Sequence, residues 1–138
     1  MDGLKKKTAK DGFPVFDLKT VHESDIIKAI KKAKPKRSTG IDGISMQVLK
    51  MSANIIAIPL AWLFNISINK GEFPSRWKTA VVSPILKKGS PKSKENYRPV
   101  ALLSSMSKVF ESVIHAQLTK HIVRAKIFPS SQHGFRSK

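Results

Sequence analysis

The chain has 138 residues, of which 41% are hydrophobic and 25% charged, so one packed body is expected and wholesale disorder is excluded. Its 26 lysines and arginines outnumber 9 aspartates and glutamates, and the formal charge of +17 indicates a polyanionic partner, most often a nucleic acid. The absence of cysteine excludes disulfides and thiolate metal sites. Without a signal-peptide pattern or a long apolar run, we expect an intracellular protein with no membrane partner.

In chain order, the first predicted feature is a basic arm over residues 1–20, with a short extended stretch near its end. A helix follows from about Ser24, because Ile26 and Ile30 recur at helical spacing with lysines on the other face. Pro35 ends this helix, since the residue before a proline disfavours helical backbone angles.

A basic loop over residues 34–40 leads into a tight turn at Asp42 and Gly43. Glycine accepts the positive φ that such turns need, and an aspartate side chain can bond the backbone that follows it. We interpret Gly40, Asp42 and Gly43 as a structural turn.

Residues 45–70 are predicted to be mainly helical, with an interruption or restart near 54–59. Gly71 is placed to cap the C-terminus of this helical region. We expect Trp62 and Trp77 to pack in the core, with stacking on nucleic-acid bases as the alternative. The other residues of the helical region that are expected to be buried are Val48, Leu49, Ile55, Ile56, Leu60, Leu63 and Phe64.

Two short strands are predicted at 79–86 and 97–103, with a polar loop between them. Each contains a proline, which cannot donate a ladder hydrogen bond, so a two-stranded antiparallel ribbon is expected in place of a broad sheet. A long amphipathic helix follows from Ser105 to about residue 124. The predicted fold class is therefore α+β, mostly helical with one short ribbon.

The loop of this ribbon carries candidate phosphate-binding side chains. Its cations are Lys87, Lys88, Lys92 and Lys94, with Arg98 just inside the second strand. A ribbon is stiff enough to aim cations at a triphosphate or a template backbone, and both ligands need converging positive charge. A solvated surface loop is the alternative, and the spacing of a phosphate-binding P-loop is absent.

A series of short sequence blocks occurs in a fixed order along the chain. The blocks are Ser38-Thr-Gly-Ile-Asp-Gly-Ile44, Asn65-Ile-Ser67, Lys70-Gly-Glu-Phe-Pro74, the run from Phe73 to Pro91, Glu95-Asn-Tyr-Arg-Pro-Val-Ala-Leu-Leu-Ser104, Lys108-Val-Phe-Glu111 and Gln132-His-Gly-Phe-Arg136. In type, order and spacing they resemble the reverse transcriptases of non-LTR retrotransposons of the jockey and LINE type. The resemblance covers roughly residues 20–138, and the ordered series is far more specific than any one block.

The resemblance implies the fingers part of a right-hand polymerase fold, with residues 21–138 forming a partial reverse-transcriptase domain that lacks the palm beyond its start. Lys87 or Lys88 would be the fingers lysine that contacts the triphosphate of the incoming nucleotide. Arg98 would be the arginine that contacts its phosphates and base. The nucleotide and template region would begin at Gln132, Gly134, Phe135 and Arg136. The implied partners are RNA or DNA and a nucleoside triphosphate.

The catalytic carboxylates that the family needs are missing from these 138 residues. Two-metal nucleotidyl transfer requires paired acids that hold two Mg²⁺ ions. In the family they come from a block after the Gln-x-Gly-Phe-Arg signature and from a later aromatic-x-Asp-Asp turn. We therefore expect no catalytic residue, metal site or cofactor in this chain and no polymerase activity from it alone, with Mg²⁺ as the cofactor of the complete enzyme.

Two other interpretations remain open at the level of sequence. The chain could be a free-standing basic module that binds RNA or DNA. It could also be a protein-interaction remnant that docks on a partner through the helix of 105–124.

Overall fold

The computed structural model describes residues 15–127 together with Ser131 and Gly134. Most of the predicted basic arm over 1–20 lies outside the described residues, and its role stays a prediction. The helices are α1 (Glu23–Lys32), α2 (Met46–Met51), α3 (Ala53–Lys70) and α4 (Ser105–Arg124), and the strands are β1 (Val81–Leu86) and β2 (Tyr97–Leu102).

The chain divides into two compact units, one of residues 20–113 and the other of 1–19 with 114–138. In the larger unit the mixture of helices with a two-stranded antiparallel sheet confirms the α+β class and the predicted ribbon. None of the helices among the described residues is long and apolar enough to cross a membrane.

α1 forms where its sequence satisfies both ends of a helix. The carboxylate of Asp25 accepts a hydrogen bond from the backbone N–H of His22 at 3.0 Å, and acids in the first turn with lysines in the last match the helix dipole. Ile26 and Ile30 are fully buried. The helix ends before Pro35, as expected.

The break between α2 and α3 lies at Ser52, whose backbone N–H and hydroxyl both donate to the carbonyl of Val48, at 3.1 and 2.9 Å. The predicted interruption or restart near 54–59 therefore lies slightly earlier, with α3 beginning at Ala53, and Pro59 does not interrupt α3. Pro59 cannot donate to the carbonyl of Ile55. Both residues are exposed, so water can reach the carbonyl that the proline leaves without a donor.

α3 is apolar all round but buries only one face. Ala53 and Ala57 lie one turn apart on the buried face, where small side chains let a neighbouring helix come close. On the opposite side Ile55 is 80% exposed and Trp62 is 68% exposed. The expected burial of Trp62, Ile55 and Val48 is therefore wrong, because α1 and the core cover one side of this region only.

An aromatic cluster forms the core beyond the end of α3. Gly71 caps α3 with φ +66°, as expected, and Trp77 follows in a short 3-10 turn. Trp77 is 7% exposed and meets Phe64 edge-on at a centroid distance of 5.8 Å. Phe110 of α4 lies 4.7 Å from Phe64. The predicted core position of Trp77 is confirmed.

The smaller unit is described for residues 15–19 and 114–127, together with Ser131 and Gly134. The carboxamide of Gln117 accepts a hydrogen bond from the backbone N–H of Lys19 at 2.8 Å and donates one to its carbonyl at 3.1 Å. The ring of Phe16 lies 5.2 Å from the imidazole of His121. Side chains of α4 thus hold a segment that has no regular secondary structure of its own.

Candidate functional site

The register of the ribbon explains how it accommodates two prolines. Pro84 lies opposite Pro99. The backbone N–H of Lys87 donates to the carbonyl of Asn96 at 2.7 Å, and hydrogen-bonded and non-hydrogen-bonded pairs alternate along an antiparallel ladder. The prolines therefore occupy a non-hydrogen-bonded pair, where no ladder N–H is needed. Their missing donors face the two outer edges and discourage further strands from pairing there.

The loop at the tip of the ribbon is braced by its own side chains. The amide of Asn96 donates to the carbonyl of Ser90 at 2.9 Å, and the hydroxyl of Tyr97 donates to the carbonyl of Pro91 at 3.0 Å. Gly89 has φ +78°, and a Cβ there would lie 2.7 Å from the amide nitrogen of Asn96. The turn therefore favours glycine for its backbone angle, and a Cβ there would displace the Asn96 amide that braces the loop.

The cations predicted at this tip all lie in solvent. The exposed side chains are Lys87, Lys88, Lys92, Lys94 and Arg98. Glu95 is the one acid in this stretch of sequence. Its carboxylate accepts a hydrogen bond from the Ser93 hydroxyl, which lowers the pKa of Glu95 below its usual value. In the part of the chain that the structure describes, no hydrogen bond joins Glu95 to a lysine or arginine, so the tip remains positively charged.

Lys87 and Arg98 share one face of the ribbon. Arg98 pairs with Ile85, and because strand side chains alternate between faces, Lys87 projects from the same face as Ile85. Diagonal neighbours of this kind are about 7 to 8 Å apart. Lys88 lies at a bend one residue beyond the last ladder hydrogen bond, so the register does not fix its direction. The geometry thus separates two lysines that the sequence left equivalent.

The turn of Gly40, Asp42 and Gly43 is attached to the base of the ribbon. The carboxylate of Asp42 accepts hydrogen bonds from the backbone N–H of Ile44 at 3.1 Å and from the hydroxyl of Ser104, which follows β2. A Cβ on Gly40 would lie 2.5 Å from the backbone nitrogen of Ser104. Gly43 has φ +68°. Gly40 therefore serves close backbone approach, whereas Gly43 serves the turn itself.

The remaining predicted site residues lie at the end of the sequence. Gln132, Phe135 and Arg136 are outside the described residues, and Gly134 lies in a turn. Their part in the nucleotide and template region stays a prediction.

The structure also brings together cations that the sequence did not connect. Lys32, Lys34 and Lys36, at the end of α1 and in the loop after it, line the same cleft as Lys108 of α4. The basic loop was recognisable in the sequence. Its neighbour Lys108 was not, because no local pattern relates residues so far apart along the chain.

The described residues contain no group of three or more His, Asp or Glu side chains that could hold a metal ion. Mg²⁺ prefers carboxylate and water oxygens in octahedral geometry. Because no three acidic side chains come together among the described residues, these residues do not fit Mg²⁺.

Comparison of the sequence with known proteins identifies a family for the chain. No protein-family model matches the chain. It is 37% identical over 120 residues to the probable RNA-directed DNA polymerase from transposon BS of Drosophila melanogaster. This alignment covers 86% of the present chain and 13% of the transposon BS protein. The probable RNA-directed DNA polymerase from transposon X-element of the same organism is 31% identical over 114 residues, with coverages of 82% and 13%. The RNA-directed DNA polymerase from its mobile element jockey is 31% identical over 120 residues, with coverages of 86% and 13%.

The chain thus spans about 13% of the length of these relatives. Their agreement over most of the chain confirms the resemblance that the ordered blocks predicted. The chain belongs to the family of RNA-directed DNA polymerases of jockey- and LINE-type non-LTR retrotransposons and corresponds to one segment of such an enzyme.

Proposed function

We propose that this segment serves an RNA-directed DNA polymerase as a fingertip that contacts the phosphates of the incoming nucleotide, next to the template. The observation that carries the proposal is the shared face of Lys87 and Arg98. Both are exposed, and neither is hydrogen-bonded to a carboxylate within the described residues.

The two side chains suit a triphosphate for complementary reasons. An arginine guanidinium offers a planar fork that binds phosphate oxygens in pairs, whereas a lysine ammonium is a compact charge on a flexible stem. Arg98 stands within the ladder of β2 and Lys87 at its last hydrogen bond. Since the backbone of both is already ordered, less conformational entropy is lost when a ligand binds.

The template contacts and the fingers assignment belong to the same proposal. They rest on the family and on Gln132, Gly134, Phe135 and Arg136, whose sequence matches the family signature. RNA or DNA and a nucleoside triphosphate are the proposed partners, and Mg²⁺ is the proposed cofactor of the complete enzyme.

We further propose that this chain alone transfers no nucleotide. None of its nine acidic residues is adjacent to another in sequence, and two-metal transfer needs carboxylates that hold both ions close together. Primer extension with purified chain, template, nucleotides and Mg²⁺ should give no product. Extension above a no-protein control would refute this proposal.

The fingertip is tested by titrating the 138-residue chain with dTTP and following backbone amide shifts by NMR. Lys87→Ala and Arg98→Ala should each weaken binding by about tenfold, because each removes a charge-assisted hydrogen bond of roughly 1.5 kcal/mol. Lys88→Ala is the matched control, with the same charge change one residue away, and should cost less than about threefold.

Two results would contradict the fingertip proposal. One is an equal loss of affinity from Lys87→Ala and Lys88→Ala, which would show only a general electrostatic attraction. The other is a set of ligand-induced shifts that leaves residues 87–98 unaffected. Thermal melting of each variant, followed by circular dichroism, confirms that the fold is retained.

A further inference from the structure

The ribbon contains two serines that are directly followed by proline. They are Ser83, before Pro84 in β1, and Ser90, before Pro91 in the loop at the tip. Proline-directed protein kinases phosphorylate a serine or threonine that stands before a proline, and the sequence contains no other such dipeptide. By sequence the two serines are equivalent acceptors, whereas the structure separates them.

Ser83 is held in the ladder of the ribbon. It lies opposite Val100, one position from the proline pair, and because the prolines occupy a non-hydrogen-bonded pair, Ser83 and Val100 form a hydrogen-bonded one. The side chain of Ser83 is half-buried. A kinase binds its acceptor segment as an extended strand with free backbone groups, so phosphorylation of Ser83 would require the ribbon to come apart.

Ser90 is an accessible acceptor by comparison. Its side chain is exposed, and its Oγ accepts a hydrogen bond from the backbone N–H of Lys92 at 3.3 Å. Among the described residues the Ser90 hydroxyl donates no hydrogen bond, whereas the hydroxyl of the neighbouring Ser93 donates to the carboxylate of Glu95. The hydroxyl proton of Ser90 is therefore free to leave during phosphate transfer.

The loop around Ser90 can open while the strands stay paired. The carbonyl of Ser90 accepts hydrogen bonds from the backbone N–H of Ser93 at 3.2 Å and from the Asn96 amide at 2.9 Å. Both hydrogen bonds belong to an exposed loop, where water can take their place. A kinase can therefore draw residues 88–92 into an extended conformation without separating β1 from β2.

The surroundings of Ser90 are strongly basic. Lys88 and Lys92 lie two residues away on either side, and Lys87 and Lys94 lie just beyond them. A phosphoserine carries a charge of about −1.5 to −2 at neutral pH and three acceptor oxygens, and it binds where cations converge. The backbone N–H of Lys92, which already bonds the Ser90 Oγ, would bond a phosphate oxygen more strongly than a hydroxyl. The tip thus offers a binding site for a phosphate on its own serine.

We propose that Ser90 is phosphorylated by a proline-directed protein kinase, and that its phosphate then occupies the lysines of the fingertip and excludes the triphosphate of an incoming nucleotide. In the transfer, the Oγ of Ser90 forms a bond to the γ-phosphorus of ATP, the bond from that phosphorus to the oxygen of the leaving ADP breaks, and the serine proton passes to an aspartate of the kinase. The modification does not depend on the proposed function of the fingertip, whereas its effect on the nucleotide rests on that function.

The modification is tested by incubating the 138-residue chain with ATP, Mg²⁺ and purified proline-directed kinases of the cyclin-dependent and mitogen-activated classes. Mass spectrometry of proteolytic peptides should locate a phosphate on Ser90 and none on Ser83. Pro91→Ala keeps the Ser90 hydroxyl but removes the recognition residue, so it should lower incorporation at least about tenfold. Pro84→Ala is the matched control and should leave incorporation unchanged.

The capture of the phosphate by the tip is tested by phosphorus NMR of the phosphorylated chain across a pH series. Nearby ammonium groups favour the dianion, so the second pKa of the phosphate should lie below its usual value of about 6. Lys88→Gln with Lys92→Gln should bring this pKa back towards the usual value. Lys70→Gln with Lys78→Gln removes the same charge from exposed positions outside the tip and should leave the pKa lowered.

The effect on the nucleotide is tested by titrating the phosphorylated and the unmodified chain with dTTP. Phosphorylation should weaken binding at least about tenfold, and Ser90→Glu, which adds a single negative charge, should weaken it several-fold. Ser90→Ala should bind dTTP as the unmodified chain does, because the fingertip binds phosphate through its cations and not through this hydroxyl. Ser75→Glu adds the same charge at an exposed position outside the ribbon and should cost less than about threefold.

Different results would overturn the separate parts of this proposal. No phosphate on Ser90, or as much on Ser83 as on Ser90, would overturn the modification site. A phosphate pKa at its usual value would overturn the capture by the lysines. Unchanged dTTP affinity after phosphorylation, in a chain whose affinity falls with Lys87→Ala, would overturn the regulation and leave the fingertip intact. If no form of the chain binds dTTP, the fingertip and its regulation fail together, while the mass spectra still decide the modification site. Circular dichroism melts confirm that every variant remains folded.

Discussion

Different forces stabilise the helical body and the ribbon. In the body, Phe64, Trp77 and Phe110 meet ring to ring and are almost completely buried, so hydrophobic burial and shape complementarity dominate. In the ribbon, Val82 and Ile85 are more than half exposed, and backbone pairing with side-chain braces keeps the loop in shape. Substitutions in the body should therefore change stability, whereas substitutions in the ribbon should change binding.

The joint between the two regions, formed by Gly40, Asp42 and Ser104, lets the ribbon differ from the body in this way. An isolated two-stranded ribbon is marginal in water. The hydrogen bond between Asp42 and Ser104 and the close approach of Gly40 to the same backbone tie the base of the ribbon to the body. The tip can then remain in solvent without the ribbon having to supply a core of its own.

The largest effect should come from Phe64→Ala in the body. Phe64 is fully buried between two aromatic neighbours, and the cavity should lower the free energy of unfolding by about 3 to 5 kcal/mol. Urea denaturation followed by circular dichroism measures this loss. Ile55→Ala, on the same helix but 80% exposed, is the control and should cost less than about 0.5 kcal/mol. Similar losses from both would show that α3 is not packed as described.

A smaller effect is expected from Gly40→Ala at the joint. The added Cβ would meet the backbone of Ser104 at 2.5 Å, and backbone yields less easily than a side-chain tip, so the unfolding free energy should fall by about 1 to 3 kcal/mol. Gly43→Asn is the control, because its φ of +68° is one that asparagine tolerates and nothing lies within 4 Å of its Cβ position. Urea denaturation followed by circular dichroism measures both losses. If Gly40→Ala lowers the free energy of unfolding as little as Gly43→Asn does, the contact between Gly40 and the base of the ribbon is looser than the structure indicates.

Asn96→Ala should separate stability from binding in the ribbon. It removes the hydrogen bond to Ser90 across an exposed loop, which is worth about 1 kcal/mol or less. Affinity for dTTP should nevertheless fall by several-fold, because the loop next to Lys87 loses its brace. NMR relaxation of residues 87–92 should show increased motion. Asn69→Ala, at an exposed position of α3, should change neither quantity, and a ribbon that stays rigid without Asn96 would contradict the brace.

The smallest effect concerns the pH dependence of the loop. The Ser93 hydroxyl lowers the pKa of Glu95 from its usual 4.5. A lowered folded-state pKa means that the contribution of the Glu95 carboxylate to loop order is complete above the unfolded value and is lost as the pH falls through the folded value. The side-chain carboxyl carbon shift of Glu95, followed by NMR, should titrate below 4.5, and Ser93→Ala should raise the midpoint. An unchanged midpoint in Ser93→Ala would show that this hydrogen bond does not form in solution.

The sequence also left two other interpretations of the chain open. An interaction remnant was expected to dock through the helix of 105–124, yet the first half of α4 buries Val109, Phe110 and Val113 in the core. The larger exposed apolar stripe runs instead along α3, through Ile58 and Trp62. A free-standing basic module that binds RNA or DNA stays a prediction.

The sequence by itself determined the local elements and the family. Turn glycines, prolines and apolar spacing predicted the helices, the ribbon and the cap at Gly71, because each depends on backbone angles and hydrogen bonds within a few residues. The ordered blocks predicted the family because they are local strings.

Only the tertiary structure decided which apolar faces are covered and which cations face one another. Trp62 and Trp77 look alike in sequence, but among the described residues only Trp77 has aromatic neighbours from other elements around it. The pairing of two strands distinguishes Lys87 from Lys88, and Lys36 and Lys108 line the same cleft. These outcomes depend on contacts between distant segments, which no local pattern of residues specifies.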